Sequence, residues 1–164
     1  MAPKKDNTRS VLITGLGGQG IILAGNIISS ALFSKGFDVK KSEVHGMSQR
    51  GGSVESHIRF GRTVYSPLIP YGCADYLIAL DENEKKRLHR QLLPGGSIIF
   101  LPSENRTALP SPRTLNVYLS AVFLRRLGFS KNDISGYMSR IVKKKYIDIN
   151  NKAIEAAFRN SASF

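Results

Sequence analysis

The fold is decided by SVLITGLGGQG (residues 10–20), where a short apolar run stops at a cluster of glycines. The first five residues have the composition of a buried strand. Residues 19–35 repeat apolar side chains at helical spacing, and Gly36 stands where helices commonly end. Residues 37–41 then resume extended character. This opening predicts a strand, a helix and a second strand, which implies a right-handed crossover and a parallel sheet.

More strands are predicted after this unit. Residues 54–60 alternate in polarity, and the glycine and arginine that follow can turn into residues 63–65, which indicates a hairpin at the sheet edge. Two apolar runs, 74–80 and 97–101, predict strands on either side of a charged helix over residues 82–93.

The last third of the chain is helical by its pattern. Prolines make residues 102–112 a loop, and apolar stripes at helical spacing then run over residues 115–127, 134–145 and 147–160. Residues 130–133 have the composition of a helix cap. The order of elements predicts the α/β class, as a Rossmann-like three-layer sandwich with a mostly parallel sheet, an edge hairpin and C-terminal helices.

Length and composition favour one domain. The 164 residues are 41% hydrophobic, enough for one good core, and the apolar stretches fall short of the roughly 20 residues that a membrane span needs. The polar, basic start lacks the apolar centre of a secretory signal. We therefore expect a flexible N-terminus over residues 1–9, a single domain over residues 10–160 and a cytoplasmic location.

Cysteine content and charge restrict the chemistry. Cys73 is the sole cysteine, so the chain cannot ligate a four-thiolate iron-sulfur cluster by itself. The net charge is +12, and residues 125–164 hold nine basic and three acidic side chains, which is half of the excess. An acidic partner is expected. Nucleic acid is one candidate, but the basic residues are not interleaved with aromatics, and a solvated face or an acidic protein surface explains the same charge.

The glycine turn has the spacing of a dinucleotide-binding loop. Gly15 makes the turn, Gly17 permits close approach to the backbone, and Gly20 permits close packing of helix on strand. The free amides at the helix start can bind an anion. A dinucleotide site also needs an acid at the end of the second strand to bind the ribose, and residues 40–43 match this requirement poorly. A structural turn and a different anionic ligand therefore stand beside NAD as explanations.

A second motif follows the second predicted strand. SEVHGMSQRGGS (residues 42–53) places an acid, an imidazole, an amide, a guanidinium and three glycines within twelve residues. The carboxyl ends of strands are where open α/β sheets bind ligands. A tightly turned loop that satisfies its own backbone is the alternative explanation.

These motifs resemble a known family. GLGGQG (residues 15–20), the loop over residues 42–53 and HIRFG (residues 57–61) are similar to the gamma domain of pyruvate and related 2-oxoacid:ferredoxin oxidoreductases, and most of all to the small (beta) subunit of the indolepyruvate enzyme. Family members usually place another strand and helix between the segments that correspond to residues 97–101 and 112–116. Here about ten residues bridge that gap, so the resemblance implies a sheet that is one strand short.

The resemblance implies a complex that decarboxylates a 2-oxoacid on thiamine diphosphate, passes electrons through iron-sulfur clusters to ferredoxin and delivers the acyl group to coenzyme A. The thiamine diphosphate with its Mg²⁺ and the clusters belong to partner subunits, so this chain is expected to be inactive alone. The isolated chain is expected to form a homodimer. The residues leave the choice of 2-oxoacid open.

The predicted site is one surface made by both glycine loops, because each follows a strand that we expect to be adjacent and parallel. It would meet an anionic group, either coenzyme A or the thiamine-bearing face of a partner. His45 is either a satisfied structural histidine or a proton-transfer group. No catalytic residue or metal ligand is assigned. The predicted binding residues are Gly15, Gly17, Gly18, Gln19, Gly20, His45, Gln49, Arg50, Gly51, Gly52 and Ser53.

Two rival functions remain open. One is a stand-alone oxidoreductase that binds NAD or a flavin at the glycine turn, and the other is a basic module that binds nucleic acid. Neither explains the loop over residues 45–53, which a simple dinucleotide site or a basic patch does not need.

Overall fold

The computed structural model describes residues 8–47 and 51–160, which form a sheet with helices on both faces. The strands are β1 (Arg9–Leu16), β2 (Asp38–His45), β3 (Ser53–Gly61), β4 (Ala74–Ala79) and β5 (Leu92–Phe100). The α-helices are α1 (Ile21–Ser34), α2 (Glu82–Leu88), α3 (Leu115–Arg126), α4 (Lys131–Ile141) and α5 (Ile147–Arg159). Short 3₁₀ helices span His89–Gln91, Ser103–Ala108, Pro112–Thr114 and Lys144–Tyr146.

The strands lie in the order β2-β3-β1-β4-β5. β1, β4 and β5 are parallel neighbours, whereas β3 runs antiparallel to both β2 and β1. Four strands therefore run in one direction and one runs against them. The predicted α/β class, with a mostly parallel sheet and C-terminal helices, is confirmed.

The predicted contact between the first two strands is wrong. β3 lies between β1 and β2, and its His57 is opposite Leu12 on one side and Ser42 on the other. A strand that follows β2 after a short connection pairs with it at low entropic cost, and its second edge then pairs with β1. The edge hairpin is therefore β2 with β3.

Residues 63–65 form no strand, contrary to prediction. The amide of Val64 instead donates to the Asp38 carboxylate at 2.7 Å, and the Val64 side chain is buried. This contact fixes the segment as a loop at the start of β2. The predicted faces of β3 are correct, since Ile58 and Phe60 belong to the main core while His57 faces the other layer.

The core confirms the three layers. The larger cluster of buried side chains packs α1, α3, α4 and α5 against one face of the sheet. Tyr118 and Phe123 are among its largest fully buried side chains. A smaller cluster lies under α2 on the opposite face, and it consists of Leu12, Ile69, Ala74, Leu77 and Leu88.

The predicted helix over residues 82–93 is too long. α2 ends at Leu88, a 3₁₀ turn follows, and β5 already begins at Leu92. Gly95 has a φ of 85°, and the pairing of β5 with β4 is irregular near Ala74. Gly95 and Gly96 therefore lie at an irregularity inside a strand and not beyond the end of a helix. The predicted cap is confirmed as a capping box between Ser130 and Asp133.

β1 begins at Arg9, one residue before the predicted domain boundary. Residues 1–7 lie outside the described residues, and the division of the chain into a flexible tail and a single domain stays a prediction. In the described ranges no helix combines the length and apolar character needed to cross a bilayer.

Candidate functional site

The glycine turn connects β1 to α1 and leaves donors free. Gly20 precedes the helix with a φ of 81°, and the first bond of the helix ladder runs from the Ala24 amide to the Gly20 carbonyl at 3.0 Å. Within the described part of the chain, the amides of residues 21–23 have no acceptor. The Gln19 side chain instead holds the turn by accepting from the Leu16 amide at 2.7 Å. The turn can therefore offer amides to an anion.

Gly20 is also required for packing. A Cβ there would collide with the Asn116 side-chain amide, which donates to the Gly20 carbonyl at 3.2 Å. Gly18 differs, because a Cβ at that position would meet nothing within 4 Å. The glycine spacing thus has a structural cause at Gly20 and leaves open space at Gly18.

The second glycine loop closes onto the first. The Gly17 amide donates to the Gly52 carbonyl at 2.8 Å, and the Gly46 amide donates to the Ser53 carbonyl at 2.8 Å. The predicted convergence of the two loops is therefore found, but its stated cause is wrong. The loops meet because β3 pairs with β1 as far as Leu16 and Ser53, and not because β1 and β2 are adjacent.

The remaining predicted residues of this loop have different positions. His45 ends β2 with an exposed side chain, and no hydrogen bond joins it to a described side chain. Gly51 lies beside Gly17, with its amide nitrogen 3.6 Å from the position that a Gly17 Cβ would take. Gln49 and Arg50 lie outside the described residues, so their part in the site stays a prediction.

Ser53 enters a polar network that the sequence did not indicate. Its hydroxyl donates to Glu84, and it accepts from the Arg87 guanidinium at 2.5 Å. The same guanidinium reaches Glu84 at 2.6 Å and Glu55 at 2.8 Å. Thr14 also donates to Glu84, at 3.1 Å. The network ties both loop-bearing strands to α2.

His57 extends this network into the smaller core. Its Nδ1 accepts from the Ile69 amide at 3.2 Å, which leaves Nε2–H to donate to Glu55 at 3.3 Å. The His57 ring is therefore oriented by a backbone amide on one side and a carboxylate on the other. This is the arrangement of a structural histidine.

The network keeps its carboxyl groups charged. Burial raises the pKa of Glu84, which is 7% exposed, but hydrogen bonds from Arg87, Ser53 and Thr14 outweigh burial and hold the pKa below its ordinary value. The hydrogen bond from His57 is the main cause that lowers the pKa of Glu55, and Arg87 adds to it against the effect of burial. Hydrogen bonding to Glu84 raises the pKa of Arg87. These groups form a charged anchor.

A cleft of about 670 Å³ opens on the other side of the glycine turn. Arg106 is fixed at its wall, because its guanidinium donates to the backbone carbonyls of Leu80 and Leu101, both at 3.1 Å. Arg113 also lines the cleft and is exposed, and no hydrogen bond or ion pair of its guanidinium is found among the described residues. The cleft is lined by Gly18, Gln19, Gly20, Leu23, Leu80, Arg106, Pro112, Arg113, Leu115 and Asn116.

Asn116 is the most buried polar residue of this cleft. It is 4% exposed, and its Oδ1 has no hydrogen-bond partner in the described part of the chain. Sequence reasoning gave Arg106, Arg113 and Asn116 no role in the site. Two guanidinium groups beside the free amides of α1 give the cleft a positive character suited to a phosphate or a carboxylate.

The strand order disfavours a dinucleotide site. In such sites the second strand neighbours the first and presents an acid to the ribose, but here β3 occupies the place beside β1. Glu43 is also engaged elsewhere, since the Lys41 ammonium lies 2.5 Å from its carboxylate and 2.6 Å from Asn26. Over residues 8–47 and 51–160, no three His, Cys, Asp or Glu side chains are grouped to hold a metal ion.

Comparison with known proteins shows which family the chain belongs to. Residues 10–112, which include both glycine loops, match the family described as pyruvate ferredoxin/flavodoxin oxidoreductase. The chain belongs to this family. The resemblance inferred from the motifs is thereby confirmed.

Curated relatives point to the same family. The indolepyruvate oxidoreductase subunit IorB of Thermococcus kodakarensis is 43% identical over 89 residues, which cover 54% of this chain and 44% of the relative. The IorB subunit of Archaeoglobus fulgidus is 47% identical over 92 residues, which cover 56% of this chain and 45% of the relative. The matched residues span less than half the length of these relatives.

Solved structures share the fold over nearly the whole chain. The gamma subunit of a keto/oxoacid ferredoxin oxidoreductase from Geobacter sulfurreducens superposes with a TM-score of 0.72 at 23% identity, covering 92% of this chain and 96% of that one. A 2-oxoglutarate:ferredoxin oxidoreductase from Magnetococcus marinus superposes with a TM-score of 0.77 at 17% identity, covering 94% of this chain and 31% of that one. The likeness therefore includes the C-terminal helices beyond residue 112.

Proposed function

We propose that this chain is the gamma-type subunit of a 2-oxoacid:ferredoxin oxidoreductase. In the assembled complex, a 2-oxoacid such as indolepyruvate or pyruvate is oxidatively decarboxylated to an acyl-coenzyme A while ferredoxin is reduced. The observation that carries the proposal is the family match over residues 10–112, which includes both glycine loops. The names of the IorB relatives support indolepyruvate as the first substrate to test.

The redox centres belong to the partner subunits in this proposal. Thiamine diphosphate with Mg²⁺ supplies the decarboxylation chemistry, and iron-sulfur clusters carry the electrons. A chain whose sole cysteine is Cys73 cannot ligate a four-thiolate cluster alone. The chain therefore acts as a subunit that is inactive by itself, and the complex works in the cytoplasm.

The chain contributes a surface that receives an anionic group, either a coenzyme A phosphate or an acidic face of the partner. The free amides at the start of α1 and the two arginines of the cleft support this role. Arg106 is held in place by backbone carbonyls, whereas the guanidinium of Arg113 is available. We extend the predicted site to these two residues and to Asn116.

The predicted residues divide by their place in the structure. Gly18, Gln19 and Gly20 line the cleft directly. Gly17, Gly51, Gly52 and Ser53 join the two loops and anchor them to α2. In this proposal the first group faces the ligand, and the second holds the turn in shape.

Three measurements on the purified chain test the proposal against a stand-alone NAD or flavin enzyme. We expect no absorbance of a flavin or an iron-sulfur cluster, no binding of NADH, and no reduction of viologen with a 2-oxoacid and coenzyme A. Purification from the host should recover thiamine-bearing and iron-sulfur subunits, identified by mass. An isolated chain that binds NADH or reduces viologen contradicts the proposal.

A further inference from the structure

A basic surface surrounds the C-terminal end of α4. Arg140, Lys143, Lys144 and Lys145 are exposed there within one short segment that contains no acidic residue. None of the four forms an ion pair within residues 8–47 and 51–160. The nearest acid along the chain is Asp148, in the first turn of α5. We call these four residues together with Arg113 the C-terminal basic surface.

An apolar cavity opens within this surface. It has a volume of about 360 Å³, and its wall combines Leu23 of α1 with Val142, Tyr146 and Ile149 of the C-terminal segment. Arg113 lines it, and Lys143, Lys144 and Lys145 lie in the chain between its lining residues Val142 and Tyr146. The other lining residues are polar, namely Ser111, Thr114, Asn116 and Asn150. The volume lies near the lower end of ligand pockets, roughly 300–1,000 Å³, which leaves room for one large apolar side chain.

We propose that the C-terminal basic surface binds an acidic segment of another protein, and that this segment inserts one large apolar side chain into the cavity. Buried apolar anchors inside a ring of polar contacts carry most of the affinity at protein interfaces. Four cations without acidic partners attract an acidic chain and orient it. Tyr146 is 45% exposed at the cavity and can pack against the inserted side chain.

The structure favours a protein over a nucleic acid. Surfaces that bind single strands stack successive bases on several aromatic side chains. Here Tyr146 is the sole aromatic residue that lines the cavity, and the Lys145 ammonium already lies 4.9 Å from its ring centroid. A single cavity of this size suits one side chain better than a row of bases.

This inference goes beyond the proposed function. The segment with the lysines lies after residue 112, where the family match ends. A chain without any oxidoreductase partner would carry the same surface. The cavity shares Leu23, Arg113 and Asn116 with the cleft of the proposed site, but Lys144 and Lys145 line neither, so a variant at these lysines tests this surface apart from the proposed function.

The test uses the full chain and three fluorescein-labelled probes. Two are twelve-residue peptides of aspartate, glutamate and glycine with either phenylalanine or alanine at the centre, and the third is single-stranded DNA of matched charge. Binding is followed by fluorescence anisotropy at one salt concentration. We expect the phenylalanine peptide to bind about tenfold more tightly than the alanine peptide, a difference of about 1.4 kcal/mol.

Two charge-reversal variants separate this surface from general attraction. K144E/K145E should weaken binding of the phenylalanine peptide at least about tenfold. K86E/R90E makes the same change of net charge in the α2 layer, on the opposite face of the sheet, and should alter binding by less than about twofold. Circular dichroism confirms that both variants are folded.

Three results would overturn the inference. The first is equal affinity for the two peptides or no measurable peptide binding, because the cavity then takes no side chain. The second is tighter binding of the DNA than of the phenylalanine peptide. The third is an equal loss of affinity in the two charge-reversal variants, which would mean that net charge alone attracts the peptide.

Discussion

The amide of Gly17 donates a 2.8 Å hydrogen bond to the carbonyl of Gly52, and this bond joins the two glycine motifs of the chain into one unit. A Cβ on Gly17 would be in ordinary van der Waals contact with the second loop, 3.7 Å from the Gly52 carbonyl oxygen and 3.6 Å from the Gly51 amide nitrogen. In a dinucleotide site, that glycine is the one that admits the ligand. Here the second loop takes that place, so any anion must approach from the side of Gly18 and the cleft.

Gly20 should be the less replaceable of two glycines with positive φ. Gly18 (92°) and Gly20 (81°) both have a positive φ, which costs an alanine about 1–2 kcal/mol. Gly20→Ala should cost about 1–3 kcal/mol more than Gly18→Ala, because its Cβ also collides with Asn116. Urea unfolding of both variants measures the difference. Equal losses of stability would show that the contact with Asn116 does not matter.

Arg87 should stabilise the fold in a pH-dependent way. Arg87→Met should cost about 1–2 kcal/mol at neutral pH, a discounted value because the side chain is 45% exposed. The pKa values of Glu55 and Glu84 are lowered in the fold, so this contribution is present above their unfolded values and is lost as the pH falls through the folded ones. The stability difference should therefore shrink in acid.

The control for Arg87 is Lys86→Met, in the same helix. Lys86 is exposed and lies 3.7 Å from Glu82, so its removal should change the free energy of unfolding by less than about 0.5 kcal/mol. Thermal unfolding over a pH series measures both variants. A difference between Arg87→Met and the parent chain that is constant from neutral to acid pH would exclude the charged anchor.

Arg113 should act on the ligand and not on the fold. Arg113→Ala should leave the unfolding free energy within about 0.5 kcal/mol of the parent chain, since no bond of its guanidinium is found in the described ranges. In the assembled complex it should weaken coenzyme A binding or assembly about tenfold. Arg106→Ala is the contrasting variant and should lower stability, because Arg106 holds two backbone carbonyls. Calorimetry of the complex with coenzyme A compares the two.

The isolated chain should self-associate. Its exposed large apolar side chains include Met47, Tyr65, Leu68 and Tyr71, which favour burial against a second copy when the partner subunits are absent. Light scattering at tens of micromolar, an order of magnitude that suits a moderately tight dimer, should report a dimer. A monomer at that concentration would contradict the expectation.

Local structure was predictable from the sequence where one segment determines it. β1, α1 and the capping box at Ser130 follow from composition and spacing, and the two faces of β3 follow from its alternation. The strand order was not predictable in the same way. Alternation assigns faces to a strand but does not identify its neighbours, so the insertion of β3 between β1 and β2 became evident only in three dimensions.

The candidate site was predictable only in part, for a related reason. The glycine loops are compact motifs, but the cleft depends on Asn116 meeting Gly20 across 96 positions of sequence. Glu84 and Arg87 have the three-residue spacing of an ordinary exposed ion pair on a helix. Their contacts with Ser53, and that of Glu84 with Thr14, result from tertiary packing, which no local pattern encodes.

Reconstitution of the complex tests whether this chain is a subunit that the oxidoreductase needs for activity. The thiamine-bearing and iron-sulfur subunits, purified from the host, are assayed with and without this chain for viologen reduction that depends on coenzyme A, with indolepyruvate and with pyruvate. The proposal predicts activity with at least one of these 2-oxoacids only when the chain is present, and none from the chain alone. Full activity of the partner subunits without it, or turnover by the isolated chain, would contradict the proposed function.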